Sequence, residues 1–245
     1  MYLSLQRVSK TFNGERPVQA LAEISFDIRQ GEFVSLIGQS GSGKSTLCNL
    51  IAGLLTPDSG EIRLDGRLIN GQTGHVGYML QRDLLMPWRS VLQNVILGAE
   101  IARQPLEQAR QRARALLPLF GLEGFADAYP RQLSGGMRQR AALLRTILME
   151  RPLLLLDEPF GALDALTRRE MQNWLLTVWT QLQPTVLFVT HDVREAALLS
   201  DRILVLSARP GRLIADVPIA LPRPRRESDE AFLRLQAQLL GALAA

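Results

Sequence analysis

Cysteine is nearly missing from this chain. The single Cys48 excludes any disulfide within it, so the fold must be held by a packed core, in which Cys48 is expected as a small buried member. Long apolar runs are missing too: none approaches the ~20 residues a membrane-spanning helix needs. The opening Met1–Arg7 lacks the charged, apolar and small-residue order of a secretion signal. Any role at a membrane is therefore expected through a partner. Lysine is scarce, with Lys10 and Lys44 alone among 28 cationic residues. The arginines are dispersed among 24 acidic residues, and the net charge is only +4. That pattern reads as a solvated surface and not as a nucleic-acid face, so no nucleic-acid partner is expected. Aromatics are few, at 6%, while 47% hydrophobic and 21% charged residues are ordinary globular values for a 245-residue chain. Repeats and low-complexity segments are absent.

What is present begins with Gly38-Gln39-Ser40-Gly41-Ser42-Gly43-Lys44-Ser45-Thr46, which fits the phosphate-binding pattern G-x-x-x-x-G-K-[ST]. Glycines permit turns that a side chain would block, so that backbone N–H groups can surround phosphate oxygens. Lys44 supplies a compact cation for the β- and γ-phosphates, and Ser45 a hydroxyl for Mg²⁺. The flanks suit the motif. Phe33 to Ile37 read as a buried strand, and Leu47, Leu50, Ile51 and Leu54 follow at helical spacing. A helix N-terminus adds orphan N–H groups and a positive dipole end.

The rest of the chain sorts into an α/β pattern. Leu3 to Val8 and Ile24 to Ile28 predict N-terminal strands, followed by Ile62–Leu64 and Val76–Leu80. Residues 83–150 read as mainly helical. One helix there opens at Pro105 and carries an apolar stripe through Ala113 and Phe120, with Arg110 and Arg114 on its wet side. Leu153–Leu156, Thr185–Val189 and Ile203–Leu206 are short apolar runs of the kind a parallel sheet buries. Pro222–Arg226 reads as a stiff basic linker, and Ser228 as the cap of a last helix with Asp229 and Glu230 in its first turn.

Leu153–Leu156 run directly into Asp157-Glu158, placing two carboxylates at the end of an apolar strand, where open α/β sheets bind ligands. Asp157 suits Mg²⁺ coordination and Glu158 polarisation of an attacking water. Leu133-Ser134-Gly135-Gly136-Met137 puts an N-cap serine and two glycines at a helix start.

This last segment resembles the LSGGQ signature of ABC-type ATPases, with Met137 at its glutamine position. The resemblance covers nearly the whole chain. It implies a P-loop NTPase core with a mainly parallel sheet, an N-terminal antiparallel β region and an inserted helical subdomain. The core and β region take residues 1–82 and 151–220, the helical subdomain 83–150, and a linker and helix 221–245. It further implies that Phe12 stacks on adenine, Gln81 reaches the Mg²⁺ and water and senses the transporter, Asp164 lies at a dimer seam, and His191 contacts the γ-phosphate. Asp192 and Glu195 read as a capping-box pair starting the next helix. His75 has no comparable context. By resemblance, ATP lies between the phosphate loop of one copy and Ser134, Gly135 and Gly136 of a second, so two chains complete two sites.

Arg82 to Val95, with Leu85-Met86-Pro87-Trp88, is similar to importer ATPases for nitrate, aliphatic sulfonates and taurine, as are Phe160–Arg168 and Ala208–Arg212. The resemblance implies transmembrane permease subunits as partners, a substrate-binding protein acting indirectly, and a peripheral place on the cytoplasmic face of the inner membrane. In this group the region forms a surface groove that receives a helix of the permease, which Trp88 and Met86 are expected to line; Trp88 packed internally is the alternative. Gly77-Tyr78-Met79-Leu80-Gln81 departs from the usual valine-phenylalanine before the glutamine and is also similar to importers of thiamine pyrimidine precursors, which stand as an alternative. A soluble ABC ATPase outside transport is another.

Overall fold

The computed structural model describes residues 1–244. These pack as two compact units, Met1–Val76 with Pro184 onward, and Gly77–Gln183. In chain order the first unit opens with β1 (Leu3–Phe12), β2 (Val18–Ile28), β3 (Phe33–Gly38), α1 (Lys44–Ile51), β4 (Ser59–Leu64) and β5 (Arg67–Leu68). The second unit holds β6 (Gly77–Met79), α2 (Val91–Val95), α3 (Leu97–Ile101), α4 (Leu106–Leu116), α5 (Gly135–Ile147), β7 (Leu153–Asp157) and α6 (Ala165–Leu182). The chain then returns to the first through β8 (Thr185–Val189), α7 (Val193–Leu199), β9 (Arg202–Leu206), β10 (Leu213–Pro218) and α8 (Glu230–Ala244).

In the first unit β2-β1-β4-β5 form the expected antiparallel sheet. Here β1 alternates, with Leu3, Leu5 and Val8 buried against Ile28, Phe26 and Ile24 of β2. The parallel layer places β3 between β8 and β9, with β10 antiparallel on β9. Every residue of β3 and β8 is buried, as unbroken apolar runs require when both faces of a strand are covered. Each fully buried Leu, Ile, Val or Phe contributes about 1.5–3 kcal/mol. Phe33 and Phe188 meet with ring centroids 5.8 Å apart.

After the phosphate loop α1 buries Leu47, Cys48, Leu50 and Ile51. Leu54 does not continue this face, as its spacing predicts; it is 58% exposed. The helix ends at Gly53, which takes φ +73°, and a Cβ there would lie 2.1 Å from the Gln72 carbonyl oxygen. Only glycine fits that turn, and it directs the chain away before Leu54. Similarly, α8 begins at Glu230. The first helical bond, from Leu233 N–H, goes to the Asp229 carbonyl, so Ser228 stays in the preceding turn and is not the cap.

In the second unit β6 runs parallel to β7, pairing Gly77 with Leu154 and Met79 with Leu156. Gly77 has no room for a side chain: a Cβ would lie 2.9 Å from Leu154 and 3.1 Å from Thr146. Residues 91–147 are mainly helical. A capping box of Ser90 and Gln93 starts α2. Pro105 sits one position before α4, whose buried Ala113 and exposed Arg110 and Arg114 follow the predicted stripe. The Trp174 indole N–H of α6 donates to the Leu119 carbonyl at 2.9 Å. Phe120 packs edge-on to the Trp174 ring and Arg140 stacks over it at 5.3 Å.

Candidate nucleotide site

The phosphate loop lies between the end of β3 and the start of α1. Gly41 and Gly43 take φ +79° and +94°, and α1 starts just after Gly43, which offers no side-chain cap, with no acidic residue in its first turn. The helix therefore offers its first N–H groups, and its positive end, to an anion. The cradle is tight: a Cβ on Gly43 would lie 2.6 Å from Leu21, and one on Gly38 2.7 Å from Ser42 Oγ. Ser42 Oγ is buried with no protein hydrogen-bond partner. Lys44 is buried, its ammonium donating to the carbonyls of Gly38 (2.8 Å) and Gln39 (3.0 Å). Its charge is thus held against the loop itself. Gln39, Ser40 and Ser45 are exposed and Thr46 is half-buried.

In the same unit, Thr190 N–H donates to the Leu36 carbonyl of β3 at 3.2 Å. This places exposed His191 one residue beyond a bridge to the strand that enters the phosphate loop. Asp192 caps α7 by accepting from Arg194 N–H at 2.8 Å, but the expected capping box does not form. Glu195 is buried and instead accepts from the Thr190 hydroxyl at 2.6 Å, while Asp192 N–H donates to the same hydroxyl oxygen at 3.0 Å. A buried carboxylate takes the nearest good donor, and Thr190 supplies it. Phe12 ends β1 and is 42% exposed, a ring open to solvent and not a strand-core residue. Gly211, in the β9–β10 hairpin, approaches the loop so closely that a Cβ would lie 2.1 Å from the Ser42 carbonyl oxygen. Arg209 Nε donates to the Gly41 carbonyl at 3.3 Å. Thus the Ala208–Arg212 segment braces the phosphate loop from outside.

The second unit carries the carboxylates. Asp157 ends β7 buried and accepts from the Tyr78 hydroxyl at 3.3 Å. The next residue, Glu158, adopts the left-handed φ of +47°. Gln81 Nε2 donates to Glu158 Oε2 at 3.4 Å, joining two residues 77 positions apart in sequence. A Cβ on Gly161 would meet both at about van der Waals distance. Ser134 caps α5, its Oγ accepting from Met137 N–H at 3.2 Å, and Gly136 is buried with its Cα facing Thr167. Asp164 caps α6 by accepting from Thr167 N–H at 3.0 Å. The backbone and hydroxyl of Thr167 hold its carboxyl below the usual range.

Three contributors were not singled out for a role by sequence: Tyr78, Thr190 and Arg209. Tyr78 did leave a signal, as part of the departure from the usual residues before Gln81. Trp88 is 70% exposed, which excludes the internal packing its size suggests. His75 is half-buried and touches only Gln72, through Nε2 at 3.3 Å, among the hydrogen bonds of the described residues.

A glycine loop closing a buried parallel strand, with an uncapped helix and its lysine behind it, defines an α/β P-loop nucleotide-binding protein. Comparison with known proteins narrows this. The family model described as ABC transporter matches residues 21–161. The chain is 45% identical over 216 residues to the taurine import ATP-binding protein TauB of Rhizobium johnstonii, spanning 88% of this chain and 82% of that one. It is 44% identical over 223 residues to the nitrate import ATP-binding protein NrtD of Synechocystis, spanning 91% and 84%. Its fold is similar to the dimeric structure of a post-hydrolysis state of the ATP-binding cassette MJ0796 bound to ADP and Pi, with a TM-score of 0.76 and 32% identity over 90% of this chain and 100% of that one. The chain belongs to the ABC transporter family and is an ATP-hydrolysing cassette. Among its described residues no helix is long and apolar enough to cross a membrane.

Proposed function

We propose that this chain is the energising subunit of an importer for nitrate, aliphatic sulfonate or taurine-like solutes, acting as a pair of copies beneath a membrane permease. The observation that carries the reading is the match to import ATP-binding proteins for taurine and nitrate along about nine-tenths of the chain. The exposed Trp88, with Leu84 also exposed at the same loop, offers the apolar, adaptable surface that a permease helix needs. The chain then sits peripherally on the cytoplasmic face of the inner membrane, and a substrate-binding protein acts on it only through the permease.

In this reading Phe12 stacks on adenine, and the N–H groups of Gly38–Thr46 with the Lys44 ammonium bind the phosphates. Ser134, Gly135 and Gly136 of a second copy close on the γ-phosphate, with Asp164 at the seam. Glu158 polarises the attacking water, Gln81 holds that carboxylate in place, and His191 stabilises the charge that develops on the γ-phosphoryl. Little covalent work falls to the protein; positioning and charge stabilisation carry the rate. The hydroxyl of Ser45, the amide oxygen of Gln81 and the carboxylate of Asp157 are hard oxygen donors that suit Mg²⁺. Among the described residues no cluster of three or more His, Cys, Asp or Glu side chains forms a rival metal site. When bound, Mg²⁺ supplies neutralisation of the β- and γ-phosphate oxygens.

The test is co-purification. Tagged chain expressed in its native cells should be recovered from detergent-solubilised membranes with a multi-span permease, and its ATPase rate should rise when a substrate-binding protein and its solute are added to that complex. Recovery with DNA or RNA and with no membrane protein overturns the importer reading while leaving the ATPase intact.

A further inference from the structure

The segment Pro222–Arg226 reads in sequence as a stiff basic linker, and the functions above leave it unused. In the structure it is a strap across the C-terminal end of α7. Arg225 is only 9% exposed. Its Nη1 donates to the carbonyls of Ala197 (2.8 Å), Leu198 (3.3 Å) and Ser200 (2.6 Å), and its Nε to Leu221 at 3.0 Å. Arg223 donates to the Leu199 carbonyl and to the Asp201 carboxylate at 2.6 Å. The last four carbonyls of a helix have no partner within it; here two guanidinium groups take those of Ala197, Leu198 and Leu199, while Ala196 accepts from the Ser200 N–H at 3.1 Å. Burial, helped by the Arg223 cation, lowers Arg225 to about 10, so it is charged at neutral pH and faces the negative end of the helix.

The other end of α7 holds His191. The helix has seven residues, or about 10 Å at 1.5 Å per residue. From its first turn Glu195 grips the Thr190 hydroxyl, and Thr190 bonds to Leu36 of β3. At the strap end, Ser200 Oγ meets Ser35 Oγ of β3 in a buried contact. A helix this short moves as one piece, so slippage at the strap is passed to Glu195, and from Glu195 to the backbone that carries His191.

We propose that Arg225 is a positioning residue for hydrolysis: by clamping the last carbonyls of α7 it fixes, through Glu195 and Thr190, where His191 stands relative to the phosphate loop. This rests on the reading of His191 as the γ-phosphate contact. Arg225 touches no part of the nucleotide-binding loop itself, so its loss should fall on turnover and leave ATP affinity alone.

The experiment uses the full chain. Arg225→Met keeps the stem and removes every donor. It is expected to lower kcat about tenfold with KM for ATP within about twofold, while Arg225→Lys recovers about half of that loss on a logarithmic scale. The chain has two histidines, so its imidazole C2–H NMR spectrum carries two signals. Arg225→Met should move that of His191 and leave that of His75 in place. In a His191→Ala background, adding Arg225→Met should slow the residual rate no further. A folded Arg225→Met with wild-type kcat, or one whose fold-loss is the same with and without His191, overturns the proposal. Should Arg225→Met fail to fold, Arg225→Lys decides: full turnover with an unmoved His191 signal overturns it, and reduced turnover with a moved signal supports it. A fully active His191→Ala defeats the reading of the site itself. An inactive His191→Ala beside a fully active Arg225→Met defeats only the role given to Arg225.

Discussion

Replacing Glu158 by glutamine isolates the group assigned to polarise the attacking water. The surroundings make this a clean change. The backbone at Glu158 holds its left-handed φ of +47° and accepts from Gly161 N–H at 3.1 Å, and neither depends on the carboxylate charge. The side chain is half-buried, and the contact from Gln81 Nε2, long at 3.4 Å, persists with an amide oxygen as acceptor. A near-isosteric change at a half-buried position of this kind costs about 1 kcal/mol or less, or roughly 2–4 °C in Tm for a chain of this size. The chemistry is affected far more. Removing a positioned general base costs about 10²–10⁴ in rate, which is about 3–5 kcal/mol on the barrier at 1.36 kcal/mol per decade. Phosphate release at saturating ATP should fall by that factor. Nucleotide affinity, followed with a fluorescent analogue, should hold, and size-exclusion chromatography should show an ATP-dependent dimer that persists. Steady-state turnover within about threefold of wild type, at normal affinity and Tm, refutes the assignment.

Lys44→Ala removes the ammonium held against the loop carbonyls, and ATP affinity measured by titration calorimetry should weaken at least about tenfold; an unchanged Kd counts against its role. Tyr78→Phe deletes the hydroxyl that donates to Asp157 at 3.3 Å. A neutral-to-charged bond this long is worth at most about 1.5 kcal/mol, so the Mg²⁺ concentration for half-maximal ATPase should rise severalfold while kcat at saturating Mg²⁺ stays close to wild type. Lys10 pairs with Asp58 at 2.7 Å, and that bond, with Thr11 N–H, holds the Asp58 carboxyl below its ordinary value. Its stabilisation is therefore present above the unfolded carboxyl pKa of about 4 and is lost as pH falls through the lower folded value. Because the pair is partly exposed it is worth under about 1 kcal/mol. In urea denaturation Asp58→Asn should trail wild type by that margin at pH 7 and converge with it once the pH has fallen through the lowered folded value.

Signals that act within one turn of chain are legible in the sequence. The unbroken apolar runs of β3 and β8 specify strands buried on both faces, and Ser134 and Asp192 cap the helices their spacing predicts. The misreadings arise where a distant group competes with a local pattern. Leu54 continues the helical stripe, but the Gln72 carbonyl crowds Gly53 and ends the helix first. Glu195 has the spacing of a capping-box partner, yet once buried it takes the Thr190 hydroxyl. Pro222–Arg226 reads as a stiff basic linker, and nothing local shows that its arginines serve the carbonyls ending α7. The Gln81–Glu158 contact has no local signature either; only resemblance to a family put the two residues in one site, and the structure brings them together at 3.4 Å.

Ser134 shows how a residue required by local structure can still be tested for a second role. As the N-cap of α5 its Oγ accepts from Met137 N–H at 3.2 Å, and its carbonyl accepts from Arg138 N–H at 3.0 Å. A serine hydroxyl has one donor besides its two lone pairs. The cap uses one lone pair and leaves the O–H of this exposed side chain to point elsewhere. Loss of activity in Ser134→Ala is ambiguous, since removing the cap alone costs about 1 kcal/mol. Ser134→Asp separates the roles. Aspartate caps as well as serine does, and its charge is favoured at a helix N-terminus, so Tm should match or exceed that of wild type. The same charge would face the γ-phosphate of nucleotide bound to the second copy, with the donor gone. ATP-dependent dimerisation and ATP hydrolysis should both be lost from a protein that is no less stable, while each monomer's nucleotide affinity is kept. If Ser134→Asp dimerises and hydrolyses at the wild-type rate, the hydroxyl is only a cap and the composite site has to be given up.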